Sequence, residues 1–111
     1  MPFNDPRAAL TDILENIVLA KAFVKDISFD EFVQNRLYYY AVTRALEIIS
    51  EASRKLPGEM KDRHATIPWK QIAGSGNIFR HDYEDVLERI VWDTVHMALD
   101  PLEDVVRQEL S

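Results

Sequence analysis

Residues 76–83 (GNIFRHDY) place an amide, a guanidinium, an imidazole and a phenol close together in the chain. The imidazole of His81 can transfer a proton near neutral pH, and the guanidinium of Arg80 can bind phosphate oxygens in a bidentate manner. This pair is suited to chemistry on a phosphodiester. A structural role is the alternative for each: His81 as a surface or capping histidine held by Asp82, and Arg80 as an exposed arginine paired with an acidic neighbour.

Two further polar residues accompany this pair. Asn77 lies four residues before His81, so the two side chains would share one face of a continuous helix. Asn77 could orient the imidazole or contact the phosphate, or it could cap a helix. Tyr83 follows His81 by two residues, and one interpretation is an aromatic contact at a subunit interface.

A polar stripe precedes this segment by some thirty residues, at the spacing i, i+4, i+7 and i+11: Tyr40, Arg44, Glu47 and Glu51. These residues form either a charge network that supports residues 76–83 or a solvated helix face. Tyr38, Tyr39 and Tyr40 supply aromatic surface on three sides of the predicted helix, more than one core accommodates. Some of this surface is therefore expected to contact another subunit.

The elements that must position these residues are helices. Asp5 and Pro6 have the chemistry of an N-cap and a first helical position, and the first helix then carries an apolar stripe of helical period: Leu10, Ile13, Leu14, Ile17, Ala20 and Val24. Ser28 and Glu31 form a capping box for a second helix. Its apolar positions continue to Leu56 and predict one helix of about 28 residues and about 40 Å, which Pro57 and Gly58 end.

The remaining elements are shorter. Residues 57–67 read as a loop with one helical turn, and Pro68 begins a brief third helix that residues 74–76 (GSG) interrupt or bend. A last long helix runs through the apolar positions between Val86 and Leu99. Asp100 and Pro101 predict a break, with Asp100 capping a final helix. No segment alternates with period two over the length of a strand, so we predict an all-α bundle.

The composition limits the function. One domain spanning residues 1–111 is expected, and the absence of cysteine excludes disulfides and thiolate zinc sites. The net charge of −6 means that any RNA contact must be local. No apolar run reaches the length of a membrane span and the N-terminus does not resemble a signal peptide, so we expect a cytoplasmic protein. No metal site and no cofactor are predicted.

Several segments resemble the HepT-like branch of the HEPN superfamily, in the family's order. Residues 28–32 (SFDEF) are similar to the opening of its second helix, and residues 44–52 are similar to its R-x-L-E-I-I-G-E-A stretch. Residues 67–74 match I-P-W-x-x-I-x-G, and residues 90–92 match the last helix. The family signature, R-N-x-x-x-H-x-Y, aligns on Asn77, His81 and Tyr83. Its arginine falls on Gly76, and the nearest guanidinium is that of Arg80.

The resemblance implies an antiparallel four-helix bundle with short additional helices. It also implies a type VII toxin–antitoxin system, in which a homodimer cleaves RNA without a metal ion across the cleft between its subunits, and a minimal nucleotidyltransferase acts as antitoxin. His81, Arg80 and Asn77 would then be catalytic. Tyr83 would accept AMP from the antitoxin, and Arg44, Glu47 and Glu51 would support the site. The replacement of the signature arginine by Gly76 leaves an alternative, a non-catalytic helical partner or regulatory subunit of such a nucleotidyltransferase.

Overall fold

The computed structural model describes residues 5–80 and 84–111 of the chain, except for the side chains of residues 77–80 and 84–86. The described residues form helices and contain no strand, which confirms the all-α class. Helix α1 spans Pro6–Phe23 and begins as predicted, because the Asp5 side chain accepts a hydrogen bond from the Arg7 N–H. Its apolar stripe faces the core, with Leu10, Ile13, Ile17 and Ala20 buried.

The second predicted helix is two helices. Helix α2 spans Phe29–Gln34, and both hydrogen bonds of the predicted Ser28–Glu31 capping box are present. Helix α3 spans Arg36–Ser53. Asn35 separates them because its backbone is extended and its side chain accepts a hydrogen bond from the Leu37 N–H, which makes it the N-cap of α3. The predicted span of about 40 Å was therefore wrong; the 18 residues of α3 extend about 27 Å.

The middle of the chain differs from the prediction in two respects. Helix α4 spans Gly58–Arg63 and is the helical turn expected between residues 57 and 67. Helix α5 spans Trp69–Arg80, so Pro68 directly precedes the helix rather than opening it. Residues 74–76 lie inside α5, and the predicted interruption at these glycines was wrong. A helix tolerates glycine at a modest cost in stability. Close packing against α3, described in the next subsection, accounts for Gly76.

The predicted break at Pro101 was also wrong. Helix α6 spans Glu84–Asp93, a π-helical segment spans Thr94–Ala98, and α7 spans Leu99–Leu110 without a gap. The wider π turn precedes the proline, and the Leu99 N–H donates to the Thr94 carbonyl. Pro101 is the third residue of α7, and the irregular π turn just before it is where the continuous helix accommodates a residue without an N–H. Asp100 does not cap α7; its carboxylate forms an ion pair with Lys21.

The helices pack around one core. Helix α1 lies against α3 and α7, and α3 also packs against α5. Lys21 near the end of α1 binds Glu103 near the start of α7 at 2.6 Å, and Arg7 donates to the Leu110 carbonyl at 3.1 Å, so α1 and α7 run in opposite directions. Among the helices described, none is long and apolar enough to cross a membrane.

Candidate active site and its supports on helix α3

The residues predicted to be catalytic lie where α5 ends. Asn77 and Arg80 belong to the last turns of α5, and neither side chain is described. His81 and Tyr83 lie outside the described residues. Their roles therefore stay predictions. The structure does define what α5 packs against and where α6 begins.

Gly76 is buried where α5 contacts α3. Its N–H donates a hydrogen bond to the Ser50 hydroxyl at 3.1 Å, and the same hydroxyl donates to the Ala73 carbonyl at 2.9 Å. A Cβ atom at position 76 would lie 3.1 Å from the Ser50 oxygen, closer than ordinary van der Waals contact. The position that aligns with the signature arginine is therefore part of a helix–helix contact in this chain, and a side chain there would press on Ser50.

The polar stripe of α3 lies beside this contact. At about 100° per residue, Tyr40, Arg44, Glu47 and Glu51 occupy a sector of about 60°, which adjoins the side of α3 that faces α5. Arg44 and Glu47 form an ion pair at 3.3 Å, as one link of the predicted network. Arg44 and Glu51 are both exposed, and the role of the stripe as a support for residues 76–83 stays a prediction.

Sequence analysis missed an ion pair between the starts of α3 and α6. Arg36 donates from Nη1 to Glu88 Oε2 at 2.5 Å, and Glu88 is only 5% exposed. The Arg36 guanidinium also lies over two rings, 4.5 Å from the centroid of Tyr39 and 5.4 Å from that of Tyr40. A buried carboxylate is costly in free energy unless it is paired, so Glu88 requires a partner such as Arg36. The contact joins α6 to α3, a few residues after His81 in the sequence.

The signal that could have indicated this pair is the position of Glu88 in α6. Glu88 shares the buried face of the helix with Val91 and Val95, so a charged residue occupies an apolar stripe. Its partner is 52 residues away in sequence and follows the α3 N-cap. No local pattern identifies such a partner.

An apolar groove opens between α5 and the continuous helical segment formed by α6, the π-helical residues and α7. It has a volume of about 900 Å³, its floor includes Leu46 and Ile49 of α3, and Ile72 and Ile90 line opposite walls. Ile90 is exposed. Of its lining residues, Ile90 belongs to α6, whereas Leu99, Pro101 and Leu102 belong to α7.

Other charge pairs hold the C-terminal helix, α7. They lie far in sequence from the start of α3. Arg63 and His64 contact Glu109 at 3.0 and 2.6 Å, and these contacts, that of Arg63 first, lower the pKa of the Glu109 carboxyl. The Lys21 ammonium likewise lowers the pKa of Glu103. Among the side chains that the structure describes, no three histidine or acidic residues are placed to hold a metal ion.

Comparisons with known proteins find relatives over most of the chain. The family model described as "Ribonuclease HepT-like" matches residues 13–109. A protein of Caldanaerobacter subterraneus subsp. tengcongensis named "Putative RNase" is 39% identical over 106 residues, which cover 96% of this chain and 95% of that protein. A "Probable ribonuclease HepT" of Thermococcus cleftensis is 41% identical over 86 residues, 78% of each chain.

A third relative, named "Putative RNase" and from Methanocaldococcus jannaschii, is 40% identical over 95 residues, which cover 86% of this chain and 87% of that protein. No solved structure matches the chain. The family match covers α3, α5, α6 and the signature segment between them. This chain belongs to the ribonuclease HepT-like family of the HEPN superfamily.

Proposed function

We propose that this protein is the toxin component of a type VII toxin–antitoxin system and that it cleaves RNA without a metal ion. One observation carries the proposal: a member of the ribonuclease HepT-like family retains His81 and Tyr83 at the spacing of the family signature. The matches to relatives named as RNases cover most of both chains, so the similarity extends beyond the motif.

The proposed reaction needs one group that moves a proton and one that holds phosphate. His81 takes the proton of a ribose 2′-hydroxyl, and that oxygen bonds to the adjacent phosphorus while the bond from phosphorus to the 5′-oxygen breaks. The imidazolium returns the proton to the leaving 5′-oxygen, so the products are a 2′,3′-cyclic phosphate and a 5′-hydroxyl. Arg80 contacts the non-bridging oxygens, where charge accumulates in the transition state, and Asn77 positions the reacting groups.

We further propose that the active unit is a homodimer seated on the apolar groove. A contiguous apolar groove of this size, with Ile90 exposed at its wall, is typical of a surface that a partner covers. Because α5 and α6 both border the groove, a second subunit placed there would lie next to residues 81–83. Two copies of the signature segment would then share one cleft, which gives an acidic protein a local concentration of positive charge.

The experiment compares the purified wild-type protein with His81→Ala on single-stranded RNA, with EDTA present throughout. The wild type should cleave the RNA, and His81→Ala should lose at least 10²-fold in rate, the smallest effect usual for a general acid or base. A chelator-resistant cleavage that disappears with the imidazole supports the proposal. RNA that stays intact with both proteins contradicts it, provided that both unfold at the same temperature.

The burial of Gly76 favours a second candidate function. Because a buried glycine occupies the position of the signature arginine, the chain could instead be a non-catalytic partner of a minimal nucleotidyltransferase. Tyr83 would be the AMP acceptor in either system. Expression of this chain alone separates the two functions, since only the ribonuclease should arrest growth. Intact-mass measurement of wild type and Tyr83→Phe after incubation with the nucleotidyltransferase and ATP tests the acceptor.

A further inference from the structure

The first three turns of α3 have an unusual composition for an acidic protein. Residues 36–46 (RLYYYAVTRAL) contain two arginines and three tyrosines but no carboxylate, whereas the chain as a whole carries a net charge of −6. Positive charge clustered along one helix is the electrostatic feature expected of a nucleic-acid contact. The feature is local, as an RNA contact on this protein has to be.

The relevant side chains share one face of the helix. Arg36, Tyr40 and Arg44 follow one another at intervals of four residues, so they lie along α3 about 6 Å apart in axial rise. Their exposed fractions are 44% for the Arg36 side chain, 59% for Tyr40 and 65% for the Arg44 side chain. We refer to these three residues as the Arg–Tyr–Arg face. It adjoins the side of α3 on which α5 packs.

The arrangement of Arg36 is not what helix stability alone would select. Arg36 is the first residue of α3, where the partial positive charge of the helix end disfavours a cation. The buried carboxylate of Glu88 and the stacked rings of Tyr39 and Tyr40 hold the guanidinium there. The result is an oriented guanidinium at a helix N-terminus, which is a favourable location for a phosphate.

The arrangement of Tyr40 fits a base. Its ring is mostly exposed and is flanked by Arg36 one turn before it and by Arg44 one turn after it. Exposed aromatic rings with neighbouring guanidinia are the groups on which unpaired RNA bases stack, while the arginines contact the backbone. A protein interface would also cover an aromatic ring, but it would not require a cation on each side of that ring.

We propose that the Arg–Tyr–Arg face binds single-stranded RNA, with a base stacked on the ring of Tyr40 and backbone phosphates at Arg36 and Arg44. The inference rests on the proposed function in that RNA is the substrate. It adds a binding site outside the signature segment. RNA held along α3 beside α5 would be directed toward the end of α5, where His81 follows.

Fluorescence anisotropy with a 5′-fluorescein single-stranded RNA of 12 nucleotides tests this proposal. All variants are full-length chains that also carry His81→Ala, so that cleavage does not alter the probe. Tyr40→Ala should weaken binding about 5- to 150-fold, the range of stacking on one aromatic ring, and Tyr40→Phe should bind as tightly as the parent. Met97→Ala is the control for the loss of an exposed apolar side chain, because Met97 is 64% exposed and lies outside α3, in the π-helical segment.

The contribution of charge is measured separately. Arg44→Ala should weaken binding and reduce the slope of log K against log salt by about 0.7, the value for one phosphate contact on a single strand. Arg44 is chosen because it is exposed and pairs only loosely with Glu47, so its loss should leave the fold intact. Circular dichroism of each variant verifies this.

The outcomes separate this site from the proposed nuclease activity. Equal RNA affinity of the parent and Tyr40→Ala overturns the inference, even where the His81 comparison confirms cleavage. So does a loss of affinity as large with Met97→Ala, or a Tyr40→Ala protein that becomes monomeric in sedimentation while each subunit still binds RNA normally. Binding that depends on Tyr40, in a protein that never cleaves RNA, supports the inference while the nuclease activity fails.

Discussion

Positions 50 and 76 form a pair whose sizes are exchanged relative to the family. The stretch R-x-L-E-I-I-G-E-A has glycine where this chain has Ser50, and the signature has arginine where this chain has Gly76. In the structure these two residues are in direct contact, with the Gly76 N–H bound to the Ser50 hydroxyl at 3.1 Å. We therefore predict that Gly76→Arg alone will not restore the signature, and that Ser50→Gly must accompany it.

The magnitude follows from the space available. A Cβ at position 76 would lie 3.1 Å from the Ser50 oxygen and 3.4 Å from its Cβ, and an arginine adds six further heavy atoms beyond that point. Overpacking of this kind costs about 1–3 kcal/mol in free energy of unfolding. At about 2.1 cal/mol/K of unfolding entropy per residue, a chain of 111 residues loses about 4 °C in Tm per kcal/mol. Gly76→Arg should thus lower Tm by about 4–13 °C.

The double variant tests the physical cause. Ser50→Gly alone loses two hydrogen bonds and some helix propensity, so it should lower stability by about 1–2 kcal/mol. If steric crowding is the cause, Ser50→Gly/Gly76→Arg will be more stable than the sum of the two single changes implies. The coupling free energy should favour the pair by about 0.5–3 kcal/mol.

The assay is thermal and urea unfolding followed by circular dichroism at one fixed protein concentration, because a dimer would make Tm depend on concentration. RNA cleavage is measured on the same samples. Gly76→Ala is the control, since it introduces the Cβ alone and its helix propensity gain of about 1 kcal/mol offsets part of the crowding. Additive free energies, or a Gly76→Arg protein with the parent's Tm, would show that the Ser50 contact does not limit position 76.

Three further predictions concern the supports of the fold. Asn35→Ala removes the N-cap of α3 and should cost about 0.5–2 kcal/mol in urea unfolding, whereas Asn35→Asp should cost little; equal losses would show that the cap is not the cause. Glu88→Gln should cost about 1–3 kcal/mol, less than a fully buried pair would, because its partner Arg36 is half-exposed; an unchanged urea midpoint would contradict this. Because Arg63 lowers the folded-state pKa of Glu109, this contact stabilises the fold above the unfolded pKa of about 4.3, and that stabilisation is lost as the pH falls through the folded-state value. Below about pH 4.3, the urea midpoint should therefore decrease less steeply with falling pH for Glu109→Gln than for the wild type. Parallel curves would count against this ion pair.

Local chemistry accounts for what the sequence predicted correctly. The N-cap at Asp5 and the capping box at Ser28 depend on residues within one turn, and both form as expected. The break at Asn35 was missed because apolar residues continue at helical spacing across it. Leu37, which that spacing placed in the core, is 70% exposed. Periodicity identifies a helix, but it does not distinguish a buried apolar position from an exposed one.

The errors at Pro101 and at the glycines of α5 have a different origin. Whether a proline ends a helix depends on the turn before it, and here a π turn precedes the proline while Asp100 binds Lys21 from another helix. Gly76 reads as a helix breaker until its contact with Ser50, 26 residues earlier, is known. The Arg36–Glu88 pair is likewise non-local. Residues 77–83 were singled out by their types and spacing alone, and their roles stay predictions.

The two tests of guanidinium placement bear on each other. Since a side chain at position 76 in this backbone enters the α3–α5 contact, a phosphate-binding charge has to come from elsewhere, and the chain offers Arg80 next to the imidazole and Arg36 and Arg44 on α3. If the Ser50→Gly/Gly76→Arg protein is stable but cleaves no faster, while Arg44→Ala weakens both RNA affinity and cleavage, the charge on α3 does part of what the signature arginine does elsewhere in the family. If the double variant gains activity and Arg44→Ala changes nothing, the loss of the arginine at position 76 is uncompensated, and the chain is better understood as the nucleotidyltransferase partner.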